Sequence, residues 1–303
     1  MFIEILLKLL AVIKDVNVYA YADDLKFSSS NPIAIQEALG IVETWTTNWQ
    51  MKINTSKSQH FRILPRSSPS FSSSDHFFYY NNIQIPLTDN VKDLGITLTS
   101  DLKFFCHISK IYSKSISMVH ILLKSFKSPN PTFYTNLYKL YVRPITEYNS
   151  TTWSPFLISD VEKIESIQRT FTRKLLQKLN ISYIDYQDRL LILNLETLEI
   201  RRVKLDLIFV YKILNNLVDL NSCDFFQINQ IVSTYSLRRH RFYLQKPCMP
   251  TSAVVSNFFT HRVLKTWNKL PENTVMSKTL SIFKSRLNNV NITDYYEPKF
   301  QIK

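Results

Sequence analysis

The chain has 303 residues, 45% of them hydrophobic, and a formal net charge of +13, which suits about two domains with buried cores and a polyanionic partner, nucleic acid first and an anionic membrane surface second. Only two glycines occur, so glycine loops that cradle phosphates are excluded, along with P-loop and Rossmann fingerprints. Cys106, Cys223 and Cys248 are odd in number and far apart, which excludes a disulfide framework and a CxxC metal pair and fits a reducing compartment, nuclear or cytoplasmic.

Residues 1–13 are apolar, but Glu4 and Lys8 interrupt them and the stretch is too short and too charged to span a bilayer. A buried helix carrying Leu6, Leu7, Leu9, Leu10 and Ile13 is expected there, ending near Lys14 and Asp15. Val16, Val18 and Ala20 then alternate with Asn17, Tyr19 and Tyr21, and Leu25 and Phe27 resume the period of two. This predicts a hairpin with Asp23 and Asp24 at its tip. Aspartates favour turns, so one reading is an ordinary polar turn; the chemical reading is a pair of hard oxygen ligands for Mg²⁺.

The serines and Asn31-Pro32 that follow supply a turn and a helix start. Ile35, Leu39, Val42, Trp45 and Trp49 are spaced as one helical face. Residues 52–54 read as a return strand, residues 67–74 as a serine-rich flexible loop, and Asn81-Asn82 as a two-residue hairpin turn. Gly95, after Leu94, marks a tight turn or a close backbone approach.

From Asp101 onward the pattern is helical. Leu102, Phe105, Ile108, Tyr112, Val119, Leu123 and Phe126 form one stripe, Ser128-Pro129-Asn130-Pro131 ends it and starts another helix, and Pro144 ends or kinks that one. Ser159 to Glu162 reads as a capping box. The helix it opens places Ile164, Ile167, Phe171 and Leu175 on one side and Arg169, Arg173, Lys174 and Lys178 largely elsewhere, as a solvated face or a surface for phosphates. Val203, Leu207, Val210, Tyr211 and Leu214 predict a further helical core face. Arg238, Arg239, His240 and Arg241 form the densest basic cluster, flanked by Tyr235, Phe242 and Tyr243. That mixture suits single-stranded RNA or DNA, with a nuclear-import signal or plain surface as alternatives. Residues 261–270 and 280–287 read as helices, and 294–303 as a frayed tail.

Tyr21-Ala22-Asp23-Asp24 resembles the catalytic hairpin motif of reverse transcriptases, and later segments follow the order found in LINE-type, non-LTR retrotransposon members of that family. Residues 45–57 (WTTNWQMKINTSK) are similar to the motif after the hairpin, and residues 93–103 (DLGITLTSDLK) to the primer-contacting hairpin. Residues 140–148 (LYVRPITEY) with 153–155 (WSP) resemble the thumb, and residues 258–271 (FFTHRVLKTWNKLP) the C-terminal region.

This resemblance implies an α+β fold: a partial palm over residues 1–100, a helical thumb over 101–217 and a basic, mostly helical region over 218–303. It implies two-metal nucleotidyl transfer with Mg²⁺ or Mn²⁺, an RNA template, a DNA primer and deoxynucleoside triphosphates. Asp23 and Asp24 would hold metal, Tyr21 and Ala22 would line the nucleotide pocket, Lys57 would sit near the departing pyrophosphate, and Leu94-Gly95 would hold primer backbone. The family also carries a catalytic aspartate on an earlier strand, and neither Glu4 nor Asp15 stands in a matching motif. The expectation is therefore the C-terminal part of a larger polymerase, inactive alone. The alternatives are a non-catalytic nucleic-acid-binding remnant and a helical protein-interaction module.

Overall fold

The computed structural model describes residues 15–63, 76–228, 240–245 and 252–299. The helix expected over 1–13, the serine-rich loop, and Arg238 and Arg239 lie outside the described residues. The chain divides into two compact units, Met1–Leu102 and Lys103–Lys303.

In the first unit, β1 (Asn17–Tyr21) and β2 (Asp24–Ser28) form the predicted antiparallel hairpin, with Val18 opposite Phe27 and Tyr21 opposite Asp24. The period of two works as expected except at Ala20, which is exposed next to the turn rather than packed inward. Val18, Leu25 and Phe27 pack inward against helix α1 (Pro32–Asn48), while Tyr19, Tyr21 and Lys26 are exposed. Asn31 caps α1, its side chain accepting from the Ile33 N–H at 3.0 Å, and Pro32 fills the first turn, where a missing N–H costs nothing.

The buried stripe of α1 is Ala34, Ala38, Leu39, Val42 and Thr46, rotated from the expected face. Ile35 and Trp45 are half-buried, and Trp49 lies exposed beyond the helix end. The two alanines explain the rotation: they let α1 approach Phe78, Tyr80 and Ile85 closely, which larger side chains would prevent. Thr46 Oγ1 and the Tyr80 hydroxyl lie 2.6 Å apart under that contact. Gln36 both donates to the Tyr79 carbonyl and accepts from its N–H, each at 2.9 Å, so one side chain satisfies a strand edge.

Strands β3 (His60–Phe61), β4 (Tyr79–Tyr80), β5 (Ile83–Gln84), β6 (Leu87–Thr88), β7 (Asn90–Asp93) and β8 (Ile96–Thr99) complete the unit. β4 and β5 form the hairpin expected at Asn81-Asn82, whose φ values of 49° and 57° suit a type I′ turn. β7 pairs with β8 around Leu94-Gly95, and β3 runs parallel to β6. Residues 52–54 form no strand. Their one apolar side chain, Ile53, reaches the core, and the backbone turns between Asn54 and Ser58 instead.

The second unit is helical, built on α2 (Phe105–Ser125), α3 (Pro131–Leu137), α4 (Arg143–Glu147), α5 (Ser150–Trp153) and α6 (Ile158–Lys178). Asn130 caps α3, with Pro131 in its first turn. Between α3 and α4 the helix widens into a π-helical segment, Tyr138–Val142, just before Pro144, which cannot donate to the ladder. Tyr138 stacks on Phe171 of α6 with ring centroids 4.4 Å apart. Ile164, Ile167, Phe171 and Leu175 are all buried, as their spacing predicts. Helix α6 starts at Ile158 rather than at a Ser159 cap, and Leu157 precedes it without a side-chain capping bond. Asp160, within the expected capping box, is buried.

Helices α7 (Tyr186–Ile192), α8 (Leu198–Leu214) and α9 (Ser222–Phe225) lead to a small pair of strands, β9 (Gln227–Ile228) and β10 (Leu244–Gln245). The chain continues through α10 (Ala253–Ser256), α11 (Phe259–Arg262), α12 (Leu264–Lys269), α13 (Glu272–Val275) and α14 (Leu280–Asn289). Helices on both sides of residue 218 share one core, where Leu207, Val210, Tyr211 and Leu214 meet Phe259, Trp267, Phe283 and Leu287.

Residues 294–299 are docked rather than frayed. The Tyr296 hydroxyl and the Lys299 N–H both donate to Glu199 Oε1, at 2.7 and 2.9 Å, and Lys299 Nζ donates to the Phe156 carbonyl at 3.2 Å. The elements thus combine α and β structure as the pattern predicts. Among the described residues no helix is long and apolar enough to cross a membrane.

Candidate active site

At the tip of the β1–β2 hairpin, Ala22 takes a φ of 52° while Asp23 does not have a positive φ. A left-handed φ at the first turn residue alone is the sign pattern of a type II′ turn, whose twist matches a right-twisted strand pair. For alanine this conformation costs on the order of 1–3 kcal/mol, met by the packing of the strands beneath it. The turn leaves Asp23 and Asp24 exposed. Neither carboxylate is held by a hydrogen bond or ion pair among the described residues, so their oxygens are open to a ligand.

Asp24 lies opposite Tyr21, on the outward face shared with Tyr19 and Lys26. Lys26 reaches from that face to Asp93 on β7 in an ion pair, and its ammonium lies 5.9 Å from the Tyr19 ring centroid. The pair joins the aspartate hairpin to the Leu94-Gly95 hairpin, a link between two of the sequence-predicted regions. Pattern alone cannot find it, because a lysine on an exposed strand face looks like ordinary surface. Leu94 and Gly95 both have positive φ, 44° and 88°, and both are exposed at the turn.

Lys57 is exposed in the turn after Asn54, and no ion pair joins it to Asp23 or Asp24 among the described residues. Among the described residues no group of three or more His, Cys, Asp or Glu side chains could hold a metal ion. The hairpin therefore offers two carboxylates from one side. This donor set fits Mg²⁺ or Mn²⁺, hard cations whose remaining positions are filled by water, phosphate or further carboxylates.

In the second unit, Arg169, Arg173 and Lys178 of α6 are exposed and Lys174 is half-buried. Lys174 Nζ lies 3.0 Å from His120 Nε2, and Lys178 Nζ lies 5.7 Å from the Tyr134 ring centroid. Of the basic cluster nearer the C-terminus, Arg241 is exposed, but His240 is a core residue. Its Nε2 lies 3.1 Å from the Trp267 carbonyl, and burial holds its imidazole below the usual pKa. Phe242 and Tyr243 are half-buried; the Phe242 ring packs against the helical core, and the Trp267 indole N–H donates to the Phe242 carbonyl at 2.9 Å.

Residues 1–98 match the family described as reverse transcriptase (RNA-dependent DNA polymerase), a span that contains the Asp23-Asp24 hairpin, the Asn81-Asn82 hairpin and all but the last residue of the Leu94-Gly95 hairpin. An uncharacterized protein of Caenorhabditis elegans is 27% identical over 120 residues, which is 40% of this chain and 61% of that protein. The chain thus spans about 61% of the length of this curated relative. No solved structure matches.

Proposed function

We propose that this chain carries the metal-binding hairpin of an RNA-directed DNA polymerase of the LINE type, with nucleotidyl transfer as its chemistry. The observation that carries this reading is an exposed, uncommitted Asp23-Asp24 pair at a hairpin tip, inside the segment similar to reverse transcriptases. Asp23 and Asp24 would hold Mg²⁺ or Mn²⁺. When bound, such ions lower the pKa of an attacking hydroxyl and stabilise the departing pyrophosphate.

Tyr21 and Ala22 form one wall of the nucleotide pocket, and Lys57 offers a cation to pyrophosphate. The Leu94-Gly95 turn, tied to the aspartate hairpin through Asp93 and Lys26, bears on the primer backbone. The partners are an RNA template, a DNA primer and deoxynucleoside triphosphates. The test is Mn²⁺ binding followed by electron paramagnetic resonance with a deoxynucleoside triphosphate present. Asp23→Asn and Asp24→Asn should each weaken it at least tenfold, and equal binding by both variants refutes the assignment.

A second reading, nucleic-acid binding without chemistry, is favoured by the exposed Arg169, Arg173 and Lys178 on α6 and by exposed Arg241. The purified chain should bind single-stranded RNA with an affinity that falls steeply with salt. Replacing Arg238, Arg239 and Arg241 together by Ala should flatten that dependence, each lost phosphate contact lowering the logarithmic slope by about 0.7 for a single strand. An unchanged slope removes this cluster from the interface.

A further inference from the structure

Helix α6 ends at Lys178 and α7 begins at Tyr186, and the loop joining them carries Tyr183, which is 82% exposed. The Tyr186 hydroxyl donates to buried Glu165 at 2.6 Å, which fixes its ring. Two guanidiniums gather on that ring, with Arg169 Cζ 5.6 Å and Arg189 Cζ 5.4 Å from its centroid. Arg173 follows Arg169 by one helical turn and shares its face.

Arg189 is enclosed, only 4% exposed, and its Nε has no hydrogen-bond partner among the described residues. Asp185 and Asp188 lie close in sequence, yet neither pairs with Arg173 or Arg189 among the described residues. Burial is the main reason the Arg189 guanidinium sits below its usual pKa. Tyr183 and Tyr186 oppose that shift, while Arg173 and Arg169 add to it. Tyr183 and Arg173 thus each stand close enough to Arg189 for its guanidinium to feel them.

An enclosed guanidinium with an unmet donor, two more arginines beside it and an exposed aromatic ring at the rim make a site with two requirements. It needs an anion that accepts several N–H donors, and a flat apolar group next to that anion. We propose that Arg169, Arg173 and Arg189 hold a backbone phosphate of single-stranded nucleic acid while an unpaired base stacks on Tyr183. Guanidinium forks match phosphate and carboxylate alike, but only a nucleotide strand presents a π-face at every anionic repeat. A duplex keeps its bases stacked inward and cannot offer one to Tyr183. The site rests on the reading of this chain as a nucleic-acid binder, and it holds whether or not the Asp23-Asp24 hairpin is catalytic.

The test measures fluorescence anisotropy of a labelled oligouridine, an abasic oligomer of equal length and a closed duplex hairpin on the full chain at one salt concentration. With the loss of one stacked base, Tyr183→Ala should weaken oligouridine binding roughly tenfold and leave the duplex unchanged. Tyr183→Phe should bind as the parent does. Arg173→Ala should weaken both oligouridine and the abasic oligomer. Tyr183 is on an exposed loop, so circular dichroism should show each of its variants folded. Equal binding of oligouridine by the parent and Tyr183→Ala overturns the proposal. So does an equal loss for duplex and single strand, parent affinity for the abasic oligomer, or equally potent competition by a polyglutamate peptide.

Discussion

Given a primed RNA template, deoxynucleoside triphosphates and Mg²⁺ or Mn²⁺, the 303-residue chain alone should extend no primer. Two divalent ions about 3.5–4 Å apart repel strongly and need carboxylates from both sides of the site. The hairpin tip supplies Asp23 and Asp24 from one side, and among the described residues no third carboxylate, histidine or cysteine groups with them. Asp93 cannot readily serve, because Lys26 already holds it. Supplying an aspartate-bearing palm segment by fusion or in trans should give measurable extension, and Asp23→Asn should then remove at least ~10²-fold of it, about 2.7 kcal/mol of barrier. Extension by the chain alone that vanishes in Asp23→Asn would show that Asp15 or Glu4 completes the site.

The second large effect is on stability and lies far from that hairpin in sequence. Glu165 is 0% exposed in the middle of α6, where it accepts from the Tyr186 hydroxyl at 2.6 Å and the Leu198 N–H at 2.9 Å. Arg202, 2% exposed on α8, feels its charge. Glu165→Ala should destabilise the chain by about 2–5 kcal/mol in urea denaturation, because it leaves a buried hydroxyl and an N–H without an acceptor and takes from the Arg202 guanidinium one of the carboxylates, with Glu199 and Asp206, that favour its charge. Glu165→Gln keeps an acceptor oxygen and should cost less.

The pH dependence has a definite sign. Burial raises the Glu165 carboxyl above its usual range, against the Tyr186 hydrogen bond and Arg202, and burial raises Asp206 likewise, against Arg262. A carboxyl whose folded pKa lies above its unfolded one favours the fold while protonated, so its contribution fades as pH rises from the ordinary carboxylate range through the raised value. The parent should lose stability across that window, and Glu165→Gln should lose less. A steeper loss in the variant would contradict the assignment.

What the sequence made legible was local. The hairpin around Asp23-Asp24, the Asn81-Asn82 turn, the Asn31-Pro32 and Asn130-Pro131 helix starts and the buried stripe of α6 follow from period and turn chemistry within a few residues. What was not legible depends on distant partners. Glu165 and Arg202 resemble solvated helix charges until the fold encloses them. The Lys26 to Asp93 pair joins residues 67 positions apart, and His240 sits in a basic run yet serves the core. The strand expected at 52–54 had one apolar residue to support it, too little to hold a register.

The docking of residues 296–299 onto Glu199 also bears on how this protein emerges from the ribosome. Lys299 closes a bond to Phe156 across 143 positions, and Tyr296 reaches Glu199 across 97. At a translation rate of about 5–20 residues per second, those 97 positions are several seconds during which α8 has been made and the Tyr296 and Lys299 donors to Glu199 have not. The second unit therefore completes this part of its polar core only once residues 296–299 have been made. Throughout that interval the half-made helical layer is the part of the chain that a chaperone would have to shield.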